Sequence, residues 1–236
     1  MVVAAVLAGG SGTRMGTAIP KQFLEIQGVP VIIRSINAFL GNCRTDCVIV
    51  SVSSDYKEYT EKLIKKHIFS EKPIYVIEGG KTRGDTLFGV LEFMNEHSFL
   101  NDSVILTHDA VRPFITDRII NENIDAAVTY GACNTCVPAV DTVLLSADGM
   151  YIDTVPDRST VFHAQTPQSF DAEKLYELIK STPEEKFLAM TDGCSVFTYH
   201  NQPVFITKGE NYNIKITYPD DIKRAENIIK EYFSEG

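Results

Sequence analysis

The sequence predicts an α/β fold, with a single doubly wound and mostly parallel sheet and a projecting β-hairpin arm. Short apolar runs rich in β-branched residues alternate with longer amphipathic segments up to residue 130. The short runs are typical of strands buried on both faces, and the longer segments are typical of helices. After residue 132 polar and apolar residues alternate around Asp148-Gly149, a dipeptide that favours a hairpin turn.

The apolar periodicity places each element along the chain. Strands are predicted at residues 2–7, 47–52, 74–77 and 104–107. Helices are predicted at residues 31–40, 56–69, 82–97, 117–130, 172–181 and 219–233. Thr116 or Asp117 is placed to cap the helix at 117–130. Repeated β-α-β units with right-handed crossovers make the strands parallel, and such sheets bind ligands beyond the carboxyl ends of their strands.

Length and charge limit the organisation of the chain and its partners. A chain of 236 residues with 44% hydrophobic residues can bury one sizeable core, so we expect one domain over residues 1–236. Hairpin arms are marginal alone and usually pack on a partner, so the arm at about 137–160 is expected to serve dimerisation. The net charge of −9 argues against a nucleic-acid partner, because a polyanion is repelled at long range.

The apolar runs of the chain do not favour a membrane protein. None approaches the roughly 20 residues that a bilayer span needs. The amino terminus also lacks the basic segment that precedes the apolar part of a signal peptide. We therefore expect no membrane partner and a cytoplasmic location.

The five cysteines do not favour a disulfide framework or a metal site. Cys133 and Cys136 form a CxxC motif, and four thiolates could in principle hold zinc. However, the motif lies in ACNTCVPAV, which is typical of a strand, and residues three apart on a strand face opposite sides. Buried free thiols are therefore predicted.

The glycine-rich segment LAGGSGTRMGTAIPKQF, at residues 7–23, follows the first predicted strand. It contains Arg14 and Lys21, and no acidic residue appears before Glu25. Glycines let backbone N–H groups approach phosphates, arginine offers a planar fork to phosphate oxygens, and lysine acts as a mobile point charge. The segment predicts a phosphate-binding loop, with a plain glycine-rich turn carrying solvated charges as the structural alternative.

Two other nucleotide-binding motifs do not fit the sequence. A dinucleotide-binding GxGxxG that starts at Gly10 and Gly12 would place its third glycine at Met15, and no acidic residue ends the second strand. A P-loop ending at Gly80-Lys81-Thr82 would need a glycine at Tyr75. A dehydrogenase is therefore disfavoured, and a non-catalytic nucleotide-binding module stays as the alternative of a different class.

Further motifs follow in order along nearly the whole chain. They are GGKTRGDT (79–86), THDAVRPF (107–114), VDTV (140–143), PDRS (156–159), AQTPQSF (164–170), TDG (191–193) and NYNIKIT (211–217). With the loop, they resemble the motifs of the sugar-alcohol-phosphate cytidylyltransferase family, which comprises 2-C-methyl-D-erythritol 4-phosphate cytidylyltransferase and D-ribitol-5-phosphate cytidylyltransferase. The resemblance implies a Rossmann-like nucleotidyltransferase fold. For GGKTRGDT the structural alternative is a plain helix start capped by Thr82.

The resemblance implies that CMP is transferred from CTP to a polyol phosphate, with Mg²⁺ or another divalent cation as cofactor. A phosphate oxygen of the acceptor attacks the α-phosphorus and expels pyrophosphate, so the enzyme needs cations that bring two anions together rather than a covalent nucleophile. The implied catalytic residues are Arg14, Lys21, Arg158 and Lys215. The implied CTP-binding residues are Leu7, Ala8, Gly9, Gly10, Gly12, Gly80, Lys81, Arg83, Thr86 and Ala110.

The implied acceptor-binding residues are Asp109, Arg112, Thr142, Thr166 and Thr191. Asp109 lies just past a buried strand, where a carboxylate can also hold Mg²⁺ between phosphates. Arg112 could order the loop or pair with an acid, and His108 is given a structural role because a phosphomonoester is largely ionised near neutral pH. In the family the arginine that matches Arg158 reaches this phosphate across a dimer interface, which implies a homodimer. A solvated arm charge paired with Asp157 is the alternative.

Two acceptors compete within the family. LAGG in the loop, THDAVRPF and GENYNIKIT (209–217) resemble the ribitol-phosphate branch, whose product CDP-ribitol serves teichoic acid biosynthesis. HAQTPQSF (163–170) resembles the methylerythritol branch, which serves isoprenoid biosynthesis. More features favour D-ribitol 5-phosphate, which is the predicted acceptor, with 2-C-methyl-D-erythritol 4-phosphate as the alternative.

Overall fold

The computed structural model describes residues 1–9 and 19–233 and confirms the α/β fold. Its strands are β1 (Val2–Ala8), β2 (Glu25–Ile26), β3 (Val29–Pro30), β4 (Cys47–Val52), β5 (Ile74–Glu78), β6 (Val104–Asp109), β7 (Ala132–Pro138), β8 (Phe162–Asp171) and β9 (Phe205–Lys208). Strands β2 and β3 form a separate small hairpin, and the others form one seven-stranded sheet. The predicted strands at 2–7, 47–52, 74–77 and 104–107 are all present.

The sheet is mostly parallel, as the sequence predicts. Its order is β5-β4-β1-β6-β8-β7-β9, and only the two pairs that involve β8 with β6 and β7 are antiparallel. Leu7 of β1 lies opposite Ser51 of β4 on one side and Asp109 of β6 on the other. The carboxyl ends of these adjacent parallel strands therefore meet at one edge, where ligands of doubly wound sheets bind.

Eight α-helices flank the sheet in the described part of the chain. They are α1 (Val31–Gly41), α2 (Lys57–His67), α3 (Arg83–Glu96), α4 (Asp117–Tyr130), α5 (Ala172–Ser181), α6 (Glu184–Leu188), α7 (Gly193–Tyr199) and α8 (Asp220–Ile228). The hydroxyl of Thr116 caps α4 by accepting from the amide of Ile119, as predicted. The sequence did not predict α6 and α7, which have only five and seven residues. The last predicted helix changes to a π-helix at Ile229–Phe233.

Apolar cores on both faces of the sheet confirm the doubly wound arrangement. Helices α1, α2 and α4 cover one face, where Phe39 of α1 and Ile120 of α4 are fully buried. Helices α3, α5, α6 and α7 cover the other face, where Met94 of α3 and Leu175 of α5 are fully buried. A third, smaller core lies under α8. The first turn of α3 is thereby held on the second face, beside the carboxyl ends of β1 and β6.

The arm is an excursion between β7 and β8, and it is less regular than the predicted hairpin. Ala139 donates a backbone hydrogen bond to Val161 at its base (2.9 Å). Along residues 139–157 one isolated bridge joins Leu145 and Thr154, and no strand forms. Met150 is 78% exposed, so the apolar side chains of the arm do not pack on the rest of the described chain. A two-stranded ribbon without such packing is marginal, which explains the loss of regular pairing.

The cysteines are free thiols, as predicted. Cys43 is exposed, and the other cysteines, including Cys133 and Cys136 on β7, are buried. Within residues 1–9 and 19–233, His, Cys, Asp and Glu side chains do not form a group of three that could hold a metal ion. The described helices also include none that combines the length and apolarity needed to cross a bilayer.

Candidate active site

The loop after β1 and the start of α3 meet at the carboxyl edge of the sheet. A Cβ atom on Gly9 would lie 3.3 Å from Oγ1 of Thr86, so the two backbones approach closely there. The carbonyl of Leu7 accepts from the amide of Ala110 (3.1 Å), which ties β1 to the turn after β6. The structure thus brings Gly9 close to Gly80 and Thr86 and joins Leu7 to Ala110, all of which are residues that the resemblance assigns to CTP. Gly10, Gly12 and Arg14 lie outside the described residues.

The start of α3 has the capping geometry of the structural alternative. The hydroxyl of Thr82 accepts from the amide of Asp85, and the Asp85 carboxylate accepts from the amide of Thr82, both at 3.0 Å. A Cβ atom on Gly80 would collide with Asp85, so only glycine lets the chain enter the helix this tightly. Thr86 donates to the carbonyl of Thr82 (2.7 Å), and Lys81 is exposed. A capped helix start still offers free amide groups and a positive dipole end to an anion, so the two interpretations are compatible.

Three cations surround the carboxylate of Asp109 and form what we call the cation cluster: Arg83, Arg112 and Lys215. Arg83 contacts one carboxylate oxygen, while Lys215 Nζ (2.9 Å) and Arg112 Nε (3.5 Å) contact the other. Burial alone would raise the pKa of Asp109, but the charges of Arg83, Lys215 and Arg112 outweigh it and hold this pKa well below its usual range. Three positive charges against one negative charge leave a local excess of two, in a chain whose net charge is −9.

The cation cluster suits an anion better than a metal ion. Both oxygens of Asp109 already contact cations. Among the described residues, no group of three His, Cys, Asp or Glu side chains could hold a metal ion. Asp109, which the sequence analysis assigns to Mg²⁺, therefore does not fit a metal ligand in this arrangement. The side chains of Lys215 and Arg83 are 40% and 30% exposed, so the positive charge is open to a ligand.

Arg112 holds two segments of chain together beside the cluster. Its guanidinium donates to the carbonyls of Asn213 (2.8 Å) and Ala164 (3.4 Å). The buried Asn213 side chain donates in turn to the carbonyl of Thr166 (3.0 Å). These contacts pin the NYNIKIT segment next to the turn after β6 and bring Lys215 to Asp109. Arg112 therefore orders the loop and also pairs with an acid, which are the two roles that the sequence suggested for it.

His108 is fully buried beneath the same turn. Its Nε2 lies 2.9 Å from the carbonyl of Arg112, and its Nδ1 lies 3.0 Å from the hydroxyl of Thr166. That hydroxyl also accepts from the amide of Asp109 (3.1 Å). Burial lowers the pKa of His108 to about 4, so the ring is neutral near pH 7. This arrangement supports the structural role predicted for His108.

Lys21 lies close to the end of β1. It begins a short 3₁₀ helix, Lys21–Phe23, whose Gln22 side chain donates to the carbonyl of Ala8 (2.9 Å). The ring of Phe23 packs against Tyr56, with centroids 5.2 Å apart. Lys21 itself is 9% exposed. The chain that directly follows Lys21 is therefore anchored by two side chains.

Arg158, Thr142 and Thr191 are exposed, and in the described chain none of them has a hydrogen bond or ion pair to the cation cluster. Arg158 and Thr142 lie on the arm, where Arg158 donates to the carbonyl of Val140 (3.1 Å). The Asp157 carboxylate instead accepts from the amide and hydroxyl of Ser159, both at 2.9 Å. The predicted alternative of an Arg158–Asp157 pair is therefore not observed.

Sequence reasoning missed several residues that position this site. Asn213 and Gln22 act through the contacts described above. Gln168 donates to Asp192 (2.8 Å), which caps α7 directly after Thr191. All of these residues lie in or beside quoted motifs, namely NYNIKIT, PKQF, AQTPQSF and TDG. The available signal was the position of these amide and carboxylate side chains inside or beside the motifs.

The chain matches the family model described as IspD: 2-C-methyl-D-erythritol 4-phosphate cytidylyltransferase over residues 2–231. It is similar to the structure of 4-diphosphocytidyl-2C-methyl-D-erythritolsynthase from Anaerococcus prevotii, with 28% identity, a TM-score of 0.80 and 98% of each chain covered. It is also similar to 2-C-methyl-D-erythritol 4-phosphate cytidylyltransferase from Thermus thermophilus, with 25% identity, a TM-score of 0.74, and 98% of this chain and 100% of that chain covered.

These comparisons show a cytidylyltransferase and favour the alternative acceptor over the predicted one. They do not support D-ribitol 5-phosphate or a role in teichoic acid biosynthesis, and they fit the methylerythritol alternative better. The features that favoured ribitol were small variations within motifs that both branches share, whereas the family match extends over nearly the whole chain. The chain belongs to the 2-C-methyl-D-erythritol 4-phosphate cytidylyltransferase family.

Proposed function

We propose that this cytidylyltransferase transfers CMP from CTP to 2-C-methyl-D-erythritol 4-phosphate and releases pyrophosphate, as a step of isoprenoid biosynthesis. The cation cluster is the observation that carries the proposal. It places an excess of positive charge at the carboxyl edge of the sheet, next to Gly9, Gly80 and Thr86. The family match and the activities named for the similar structures support the choice of acceptor.

The residues perform the transfer by holding two anions in line. Lys21 is assigned to the triphosphate, with Arg14 as its expected partner. Lys215 is half-exposed and contacts Asp109, so it can turn toward the acceptor phosphate without a large change of the backbone. Arg83 begins α3 and contacts Asp109, so it lies between the two substrates. An oxygen of the ionised acceptor phosphate then attacks the α-phosphorus, and the cations stabilise the charge that spreads over the phosphoryl oxygens.

A divalent cation fits this reaction as a partner of the nucleotide rather than of Asp109. Mg²⁺ commonly keeps several waters and binds substrate phosphates with few protein ligands. When bound, it would neutralise part of the charge of the triphosphate. The described residues contribute cations of their own and no cage for the metal.

The acceptor is tested by measuring pyrophosphate release with CTP, Mg²⁺ and each polyol phosphate in parallel. We expect kcat/KM for 2-C-methyl-D-erythritol 4-phosphate to exceed that for D-ribitol 5-phosphate by at least about tenfold, the effect of one well-placed polar contact. A preference for ribitol phosphate would contradict the proposed acceptor. Binding of CTP without turnover of either acceptor would favour the non-catalytic module instead.

We further propose that the arm joins two copies of the chain. Its most exposed apolar side chains are Val140, Met150, Tyr151 and Ile152, which lack a packing surface in the described protomer. Exposed apolar side chains that are this close in sequence are typical of an interface. Arg158 at the base of the arm would then reach the acceptor phosphate in the partner subunit, which also accounts for its lack of contact with the cation cluster of its own chain.

Introducing negative charge on the arm should dissociate the dimer and, as a result, reduce the cytidylyltransferase activity. We expect the double variant Met150→Asp, Ile152→Asp to be monomeric by light scattering after gel filtration, with acceptor KM raised because Arg158 no longer meets the second subunit. Phe69→Asp is the matched control, since Phe69 is an apolar residue that is 94% exposed outside the arm. A wild-type protein that is monomeric and fully active would contradict the proposal.

A further inference from the structure

The His108 side chain lies between the turn after β6 and the neighbouring strand β8. Its ring is fully buried and packs edge-on against Phe39, with centroids 5.2 Å apart. Nε2 faces the carbonyl of Arg112, and Nδ1 faces the hydroxyl of Thr166 on β8. The turn between Asp109 and Arg112 is closed by its own backbone hydrogen bond (3.0 Å). The imidazole therefore links this turn to the neighbouring antiparallel strand.

The hydrogen-bond partners fix which ring nitrogen carries the proton. A carbonyl oxygen only accepts, so Nε2 must donate to Arg112. In an apolar, fully buried setting the ring is neutral, so Nδ1 is left as an acceptor and Thr166 must donate its only hydroxyl proton to it. The oxygen of Thr166 is then free to accept from the amide of Asp109, at the observed 3.1 Å. The chain of bonds runs from Asp109 through Thr166 to His108 and on to Arg112.

We propose that His108, through Thr166, is a positioning residue for the acceptor half of the site. It sets the backbone of Asp109 and Arg112, whose side chains hold Lys215 and the NYNIKIT segment in place. The inference rests on the proposed function, because it treats these residues as the acceptor side of the site. His108 does not touch the reacting atoms, since it is fully buried.

Three substitutions at position 108 separate the two hydrogen bonds. Leucine removes both, glutamine can keep a donor near the position of Nε2, and asparagine can keep an acceptor near the position of Nδ1. We expect His108→Leu to raise the acceptor KM about tenfold, with a smaller change of KM for CTP, and His108→Gln and His108→Asn to recover part of the loss. Phe39→Leu is the control, because it loosens the packing around the ring and leaves all four hydrogen-bonding groups in place.

The kinetic result has two clear outcomes. A specific rise of the acceptor KM in His108→Leu, absent from Phe39→Leu at a similar melting temperature, supports positioning. Equal changes of both KM values in the two variants would show that His108 only stabilises the fold, and would overturn the inference.

A second measurement uses the free protein and does not depend on turnover. Nitrogen-15 NMR of the imidazole should show a neutral ring protonated at Nε2. The amide of Asp109 should be protected from hydrogen exchange in the wild type and lose protection in Thr166→Val and His108→Leu. A ring protonated at Nδ1 would overturn the inference. So would an Asp109 amide whose hydrogen exchange is unchanged in both variants. Both results can be obtained even if neither polyol phosphate is an acceptor. Failure of the transfer reaction alone would instead count against the proposed function.

Discussion

Replacing Lys21 with alanine should lower kcat by about 10²–10³-fold, the usual cost of losing one preorganised group that stabilises transition-state charge. Its backbone is anchored by Gln22 on Ala8 and by Phe23 on Tyr56, so the truncated side chain leaves a gap that the structure does not close. The loss should appear mainly in kcat, because the charge that Lys21 meets grows as the pyrophosphate leaves. Steady-state pyrophosphate release at saturating CTP and acceptor measures it.

Lys65→Ala is the matched control for Lys21→Ala. Lys65 is an exposed lysine in the last turn of α2, at the opposite end of the sheet from the site. We expect its removal to leave kcat unchanged, while Lys21→Arg should retain part of the activity because it keeps the charge but not the compact geometry. Full activity of Lys21→Ala with an unchanged melting temperature would contradict the role given to Lys21.

Replacing Asp109 with asparagine should destabilise the fold by about 3 kcal/mol, the range for removing one partner of a buried ion pair. The Arg112 side chain is only 11% exposed, and it would keep its charge after losing the carboxylate of Asp109. Urea unfolding near neutral pH measures the effect. Asp125→Asn is the control: Asp125 is a 68% exposed carboxylate paired with Arg44, and such surface pairs contribute less than about 1 kcal/mol.

The pH dependence of stability gives a second readout for Asp109. Its pKa is lower in the folded state than in the unfolded chain, so its stabilisation is present above the ordinary carboxyl pKa of about 3.9 and is lost as the pH falls below it. We therefore expect the stability difference between the wild type and Asp109→Asn to shrink below about pH 4. A difference that stays constant down to lower pH would show that the carboxylate is not held ionised by the cation cluster.

Strands β1, β4 and β6 could be predicted from the sequence because nearly all of their residues are buried, whereas β8 and β9, which are exposed over part of their length, were not predicted. β1 is entirely apolar, β4 is apolar except for one serine, and β6 begins with three apolar residues, so local composition was enough to predict them. Helices α4 and α5 were also predictable, since each has a capping residue before an amphipathic segment. The short helices α6 and α7 were not, because one or two turns carry too little periodicity to stand out.

The charges of the site could be predicted, but their pairing could not. Arg83, Asp109 and Lys215 were each singled out from motifs, yet no spacing rule brings Arg83 to Asp109 across 26 positions or places Lys215 on the same carboxylate. These two contacts depend on the tertiary packing of β1, β6 and α3. The assignment of Asp109 to Mg²⁺ came from the chemistry of a lone carboxylate and did not anticipate three cations around it. The acceptor was not decided by the sequence either, because its motifs resembled both branches.

In this acidic protein, we propose that the positive edge of the sheet holds two phosphate-bearing substrates in line. A crystal structure with a non-hydrolysable CTP analogue and the acceptor measures this most directly. We predict triphosphate oxygens within about 3 Å of Lys21 Nζ and an acceptor phosphate oxygen within about 3 Å of Lys215 Nζ, which would have left Asp109. A triphosphate bound away from Lys21, with Lys215 still on Asp109, would contradict the account.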